Sequence, residues 1–219
     1  MDDARRDRVA GTLWAASSAL SVALMAIHPV ARRGELADVV ASIVAIAWRE
    51  RLVHGGLIAL MGVGLLGWWR LFERLDLRAA TVRVAALAVV AGTLAYVGAA
   101  LVNGFVVASL AERYARETGA ALEPFRDLIR LTWEMNQVFA KAGVLAMGIA
   151  LAGSGLALRR YGGAPLLAWS GLLLGVVMAA GSASGHLQLH LHVMLAIVVG
   201  QAAWSIATAI QLRRGRFAG

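Results

Sequence analysis

Apolar residues are collected into six long runs, at about 9–28, 52–69, 84–110, 138–158, 165–183 and 189–212, with arginine-bearing segments between them. A helix needs roughly 20 predominantly apolar residues to cross the hydrocarbon core of a bilayer, and most of these runs approach or exceed that length. The pattern predicts an all-α, polytopic membrane protein, a bundle of six transmembrane helices. No polar stretch is long enough for a separate soluble domain, so 1–219 reads as a single membrane domain. The first run follows the charged start Met1 to Arg8, as in a signal peptide. It lacks a small-x-small cleavage site and exceeds the usual apolar region of roughly 7–15 residues, so it reads as an uncleaved first helix.

Two segments outside the runs carry helical periodicity. Leu36, Val39, Val40, Ile43, Val44 and Ala47 recur at i, i+3, i+4 and i+7, the spacing of an amphipathic helix too short to span. It is expected as a short helix lying on the outer membrane surface. The second segment opens at Glu123-Pro124, where proline suits a first helical turn, and runs without a breaker into the fourth span. That span should protrude from the membrane by several turns. On the fifth helix Gly171, Gly175, Ala179 and Ala183 recur every four residues, a small-residue face suited to internal packing or to a homo-oligomer.

Composition and charge sharpen this picture. Hydrophobic residues make up 60% of the chain, charged ones 16%, and the mean hydropathy is +0.71. The net charge of +8 comes almost wholly from arginine in the connecting segments, which argues for membrane orientation and not for nucleic acid as a partner. With the N-terminus in the cytoplasm, Arg5, Arg6, Arg8, Arg70, Arg74, Arg78, Arg83, Arg159, Arg160, Arg213, Arg214 and Arg216 fall inside. Arg32, Arg33, Arg49, Arg51, Arg113, Arg116, Arg126 and Arg130 fall outside. The positive-inside bias therefore places both termini in the cytoplasm of a cell inner membrane.

The candidate chemistry gathers at the opposite, outer end. All five histidines, His28, His54, His186, His190 and His192, fall at that end of their runs although they are scattered along the chain. There is no cysteine, so any metal must be held by nitrogen and oxygen. Glu50 and His54 are one turn apart on the second helix, and His186 and His190 have the same spacing at the start of the sixth, with Ser182 a turn earlier if the helix extends so far. Two such pairs on facing helices offer three imidazoles and a carboxylate, a ligand set for Zn²⁺, Fe²⁺, Mn²⁺ or Cu²⁺. His28, just before Pro29, and His192 are further possible ligands. Asn103 reaches a similar depth on the third helix.

Haem b competes for the same residues, because two histidines at matching depth, His54 with His186 or His190, suit bis-imidazole ligation. The run Glu50 to Gly56 resembles the glutamate-plus-histidine entry to a haem-binding helix in haem A synthase and related b-type membrane cytochromes, with glycine where that family has arginine after the histidine. Ser182 and Ser184 with His186 and His190 are similar to the serine and histidine zinc sites of alkaline ceramidase and progestin-receptor-like membrane hydrolases, which have seven helices and a further intramembrane aspartate. That resemblance implies hydrolysis.

A polar stripe supplies the remaining candidates. Asp127, Arg130, Glu134, Gln137 and Lys141 lie on one face of the fourth helix and descend into its apolar part. Lys141, the single lysine of the chain, is an ionisable group within a span, where such groups mark function by default. The expectation is a metal- or haem-dependent membrane enzyme, more redox than hydrolytic. Its cofactor ligands are His54, His186 and His190, with Glu50 or Glu134 as ligand or proton acceptor and Lys141 holding an anionic group. A lipid-soluble substrate would reach it from the surrounding membrane lipids. The alternatives are a transporter of a proton, metal ion or small solute along the Glu134 and Lys141 stripe, and a structural or assembly subunit.

Overall fold

The computed structural model describes residues 2–32, 34–160, 164–185 and 187–217. Among these residues every regular element is helical: α1 (Asp3–Ala26), α2 (Leu36–Arg74), α3 (Ala80–Leu101), a π turn (Val102–Val106), α4 (Val107–Tyr114), a 3₁₀ turn (Gly119–Leu122), α5 (Glu123–Arg160), α6 (Pro165–Ala183) and α7 (Leu191–Arg213). Six helical stretches are long and apolar enough to cross a membrane, with α3, the π turn and α4 counting as one stretch, and the 3₁₀ turn and α5 as another. They fit a multi-pass membrane protein. Large apolar side chains such as Leu87, Leu94, Leu166 and Leu173 are more than 60% exposed around the bundle, as expected where the solvent is lipid.

The expected separate surface helix is not formed. Residues 36–48 are instead the first third of α2, a continuous helix of 39 residues. At 1.5 Å per residue this rod is about 58 Å long, nearly twice the hydrocarbon thickness. The reason is local: neither glycine nor proline interrupts the chain between Leu36 and His54. The apolar stripe of the extension is buried against protein, with Val40 and Ile43 packing on Ala111 of α4, Leu122 and Phe125. The protruding start of α5 is formed as expected, in one helix of 38 residues. Together these extensions build a small capping cluster beyond one end of the bundle.

Close packing inside the bundle depends on glycine. A Cβ on Gly148 of α5 would meet Ala179 N and Gly175 O of α6 at 2.7 Å. The small-residue face of α6 is thus used within the chain, Gly175 facing α5 and Gly171 admitting the indole of Trp204 from α7. The main core runs through Trp14, Trp68, Phe72, Val144, Leu151 and Trp204.

Candidate metal centre

Three elements meet at the capped end of α1 and α2. His28 follows the end of α1, next to Pro29, while Glu50 and His54 lie one turn apart on α2. Both α2 residues are buried, Glu50 at 9% and His54 at 6% exposure. His28, Glu50 and His54 each offer one ligand atom, and these atoms lie within 4.8 Å of one another.

The hydrogen bonds fix the imidazole protons. His28 Nδ1 is 2.7 Å from the Pro29 carbonyl, and His54 Nδ1 is 2.9 Å from the Glu50 carbonyl. A carbonyl only accepts, so each Nδ1 carries hydrogen and donates. In the neutral tautomer each Nε2 is then a bare lone pair, and the two Nε2 atoms face one another at 3.4 Å. His54 Nε2 also accepts from Asn103 Nδ2 at 3.2 Å. The rings meet edge to face, with centroids 4.9 Å apart and planes at 81°. Glu50 Oε2 stands 3.6 Å from His28 Nε2 and 3.2 Å from His54 Nδ1, yet no hydrogen bond from the described residues reaches this buried oxygen. His28 lies beyond the α1 span, and its burial holds the imidazole pKa below the usual value despite the opposing pull of the Glu50 carboxylate.

The third wall is made by the π turn. Its wide winding presents Asn103 to His54 and brings Gly104 against the imidazole: a Cβ there would lie 2.5 Å from His54 Cγ. Any side chain at 104 would displace His54, which explains a glycine at this point. Such π turns are frequent at functional sites.

The other expected ligands are arranged differently. α6 ends at Ala183 and α7 starts at Leu191, so His190 caps a helix in extended conformation and is not itself within one. His186 itself lies outside the described residues. His190 and His192 are exposed, with ring centroids 6.1 Å apart; they line the same cavity as the triad without joining its ligand group. Glu134 is exposed and not among the residues lining that cavity. Lys141 is half-buried, and its carbonyl accepts the Ser182 hydroxyl at 2.7 Å. Within the polar stripe Gln137 has the clearest role: its buried amide donates to Leu189 O and accepts from Leu189 N, both at 3.1 Å, tying the α6–α7 connection to α5.

The cavity beside the triad has a volume of about 810 Å³. Small-molecule sites span roughly 300–1,000 Å³. It extends from His28, Glu50, His54 and Asn103 towards Trp14 and Trp68, passing Tyr96 and Gln201. Sequence reasoning placed Asn103 near the right depth but had no signal for the π turn, for the tight fit of Gly104, or for Trp133 and Asn136 in the cavity wall.

The chain matches no protein-family model, and no match emerges among curated proteins or solved structures.

Proposed function

We propose that this protein is a membrane-embedded metal-dependent enzyme whose centre is formed by His28, Glu50 and His54, and that it acts on a lipid-soluble substrate. The observation that carries this reading is the convergence of two imidazole lone pairs and an unpartnered carboxylate oxygen in a buried place. Without a cation Asn103 satisfies only the His54 nitrogen, the His28 lone pair and Glu50 Oε2 repel one another, and a buried polar group without a partner costs about 1–3 kcal/mol. Ligands at roughly 2.0–2.1 Å from a tetrahedral metal stand about 3.4 Å apart. The 3.4 Å Nε2–Nε2 and 3.6 Å Nε2–Oε2 separations agree with that edge length. Backbone carbonyls orient both rings through Nδ1–H, as second partners of metal-bound histidines commonly do.

Two histidines and one carboxylate leave coordination positions open, the arrangement used by catalytic zinc and by non-haem iron. When bound, such an ion supplies Lewis acidity or, for iron, one-electron chemistry. The residues of the chain would hold and orient it: the Pro29 and Glu50 carbonyls fix the two rings, Gly104 keeps the His54 ring in place, and the Asn103 amide would yield the His54 Nε2 lone pair to the ion. Haem held by His54 with His186 or His190 is less well supported, since that pair leaves unused the His28 imidazole and the Glu50 carboxylate that face His54. Hydrolysis with Ser182 is also less well supported, because that hydroxyl is committed to the Lys141 carbonyl. The arginine distribution supports cytoplasmic termini in an inner membrane and hence a centre at the outer face.

The test is elemental analysis and an absorption spectrum of detergent-purified protein prepared without chelator. About one transition metal per chain without a Soret band, lost in both His28→Ala and His54→Ala while thermal melting remains cooperative, is the expected result. Metal-free wild-type protein, or full metal content in both variants, overturns the proposal.

A further inference from the structure

The cavity is a long slot, and its chemistry is lopsided. Along α2 its lining runs from Glu50 through His54, Leu57, Met61 and Gly64 to Trp68. The 14 residues from His54 to Trp68 correspond to about 21 Å of helix, as do the 14 from His28 back to Trp14 on α1. The far end is floored by buried indoles: Trp14 and Trp68 are 1% and 5% exposed, their centroids are 5.0 Å apart, and Trp204 stacks on Trp68 at 5.3 Å.

Several polar groups along the slot are already engaged, although Ser18, Thr93, Asn136 and Ser205 also line it. Ser17 and Ser21 turn their hydroxyls back to the carbonyls of Trp14 and Ser17, at 3.0 and 2.8 Å. Midway down, Gln201 donates its amide to the Tyr96 hydroxyl at 3.0 Å. The acceptors in search of a partner lie at the other end, on Glu50 Oε2 and His28 Nε2. An occupant that fits is apolar over most of its length and, with a metal bridging it to these acceptors, carries oxygen at one end.

From this we infer that the slot takes a single-chain lipid, an unbranched acyl chain with an oxygen-bearing head such as a fatty acid. The head lies at the His28–Glu50–His54 centre and the tail points towards Trp14 and Trp68. Half of a roughly 30 Å hydrocarbon core, about 15 Å, is the depth that one chain of a bilayer lipid fills. The slot holds such a chain with room for its head. The head's anchoring rests on the metal reading above; the apolar slot does not.

Two positions in the wall make the slot a ruler. Gly64 is ten residues beyond His54, about 15 Å along the axis. A Cβ there meets nothing closer than Ser17 Oγ at 3.6 Å, so a larger side chain can enter the slot. Ser21 is seven residues from His28, about 10 Å along α1, and a leucine there obstructs the slot nearer its mouth.

The experiment measures saturable binding of tritiated hexadecanoate to the metal-loaded full chain in detergent, with dodecanoate and octanoate as competitors and metal content read on the same samples. Each methylene excluded from an apolar site forfeits about fourfold in affinity. Gly64→Leu should weaken hexadecanoate by roughly tenfold or more and leave octanoate unchanged, while Ser21→Leu should shift preference to shorter chains still. Metal content should not change in either variant, which also reports that the end of the bundle remains folded. Absence of saturable hexadecanoate binding to wild type, or unchanged chain-length preference in both variants, overturns the inference. If metal is absent but the ruler holds, the metal reading fails and the slot stands; if metal is bound and no chain length is distinguished, the slot fails and the metal reading stands.

Discussion

α1 and α2 are joined by buried polar clusters near both ends of the pair, and the two clusters follow opposite rules. At one end Asp7, 3% exposed, accepts from Arg70 Nε at 2.7 Å and from Arg74 Nη2 at 2.8 Å. Arg70 also donates to Asp3 and Glu73, each at 2.8 Å. Every buried charge there has a counter-charge; Asp3 and Asp7 sit near the N-terminus of α1 and Arg70 and Arg74 in the last turn or so of α2, the ends whose dipoles favour them. At the other end two imidazoles and a carboxylate converge; Asn103 donates to His54 Nε2, but among the described residues no donor stands between His28 Nε2 and the buried Glu50 Oε2, 3.6 Å apart. The same pair of helices thus carries one cluster that is complete and one that is chemically unfinished. Buried polar groups are nearly always satisfied, so the unfinished cluster is the one to read as a binding site.

The sharpest way to break this contrast is to remove the histidines. His28→Ala and His54→Ala should each abolish stoichiometric metal binding, measured by elemental analysis, with thermal unfolding little changed in the metal-free state. Next in size is the closed cluster: Asp7→Ala leaves the buried Arg70 and the half-buried Arg74 each short of a partner and should destabilise the protein by about 3 kcal/mol in reversible unfolding. Metal content in the fraction that stays folded should be unaffected; loss of metal there would merge the two regions into one functional unit. Asn103→Ala, which removes the amide that occupies the His54 Nε2 lone pair in the metal-free protein, should strengthen metal binding in chelator competition by the equivalent of one hydrogen bond, about 0.5–1.5 kcal/mol. The smallest effect belongs to His190→Ala, for which full metal content is expected; depletion would extend the centre to the α6–α7 connection.

The sequence made the six spans legible because span length is set by the bilayer and needs no tertiary knowledge. It also brought Glu50 and His54 together, since i, i+4 spacing on a helix is a local fact. It went astray where locality ends. The polar stretch Trp48 to Arg51 looked like the boundary between a surface helix and a span, although nothing in it breaks a helix, and the partners on α4 and α5 that cover the extension are distant in the sequence. His190 was expected on a helix that begins one residue later. Asn103 could be placed by depth, but its approach to His54 depends on a π turn, and no residue type in Val102–Val106 announces that winding.

That turn contains one residue more than an α-helix would need between the same neighbours. Each residue advances a helix by about 100°, so deleting one from Val102–Val106 would rewind the segment and swing all that follows by that angle. Ala111 would leave the capping cluster, and Glu112 would turn away from Arg51, to which it is bonded at 2.6 and 2.7 Å. Asn103 and Gly104 would lose their register with His54. The extra residue is a phase correction between two surfaces that a regular helix cannot serve together: it lets Ala80–Leu101 face the bundle, lets Val107–Tyr114 face the cap, and leaves the correction itself beside His54.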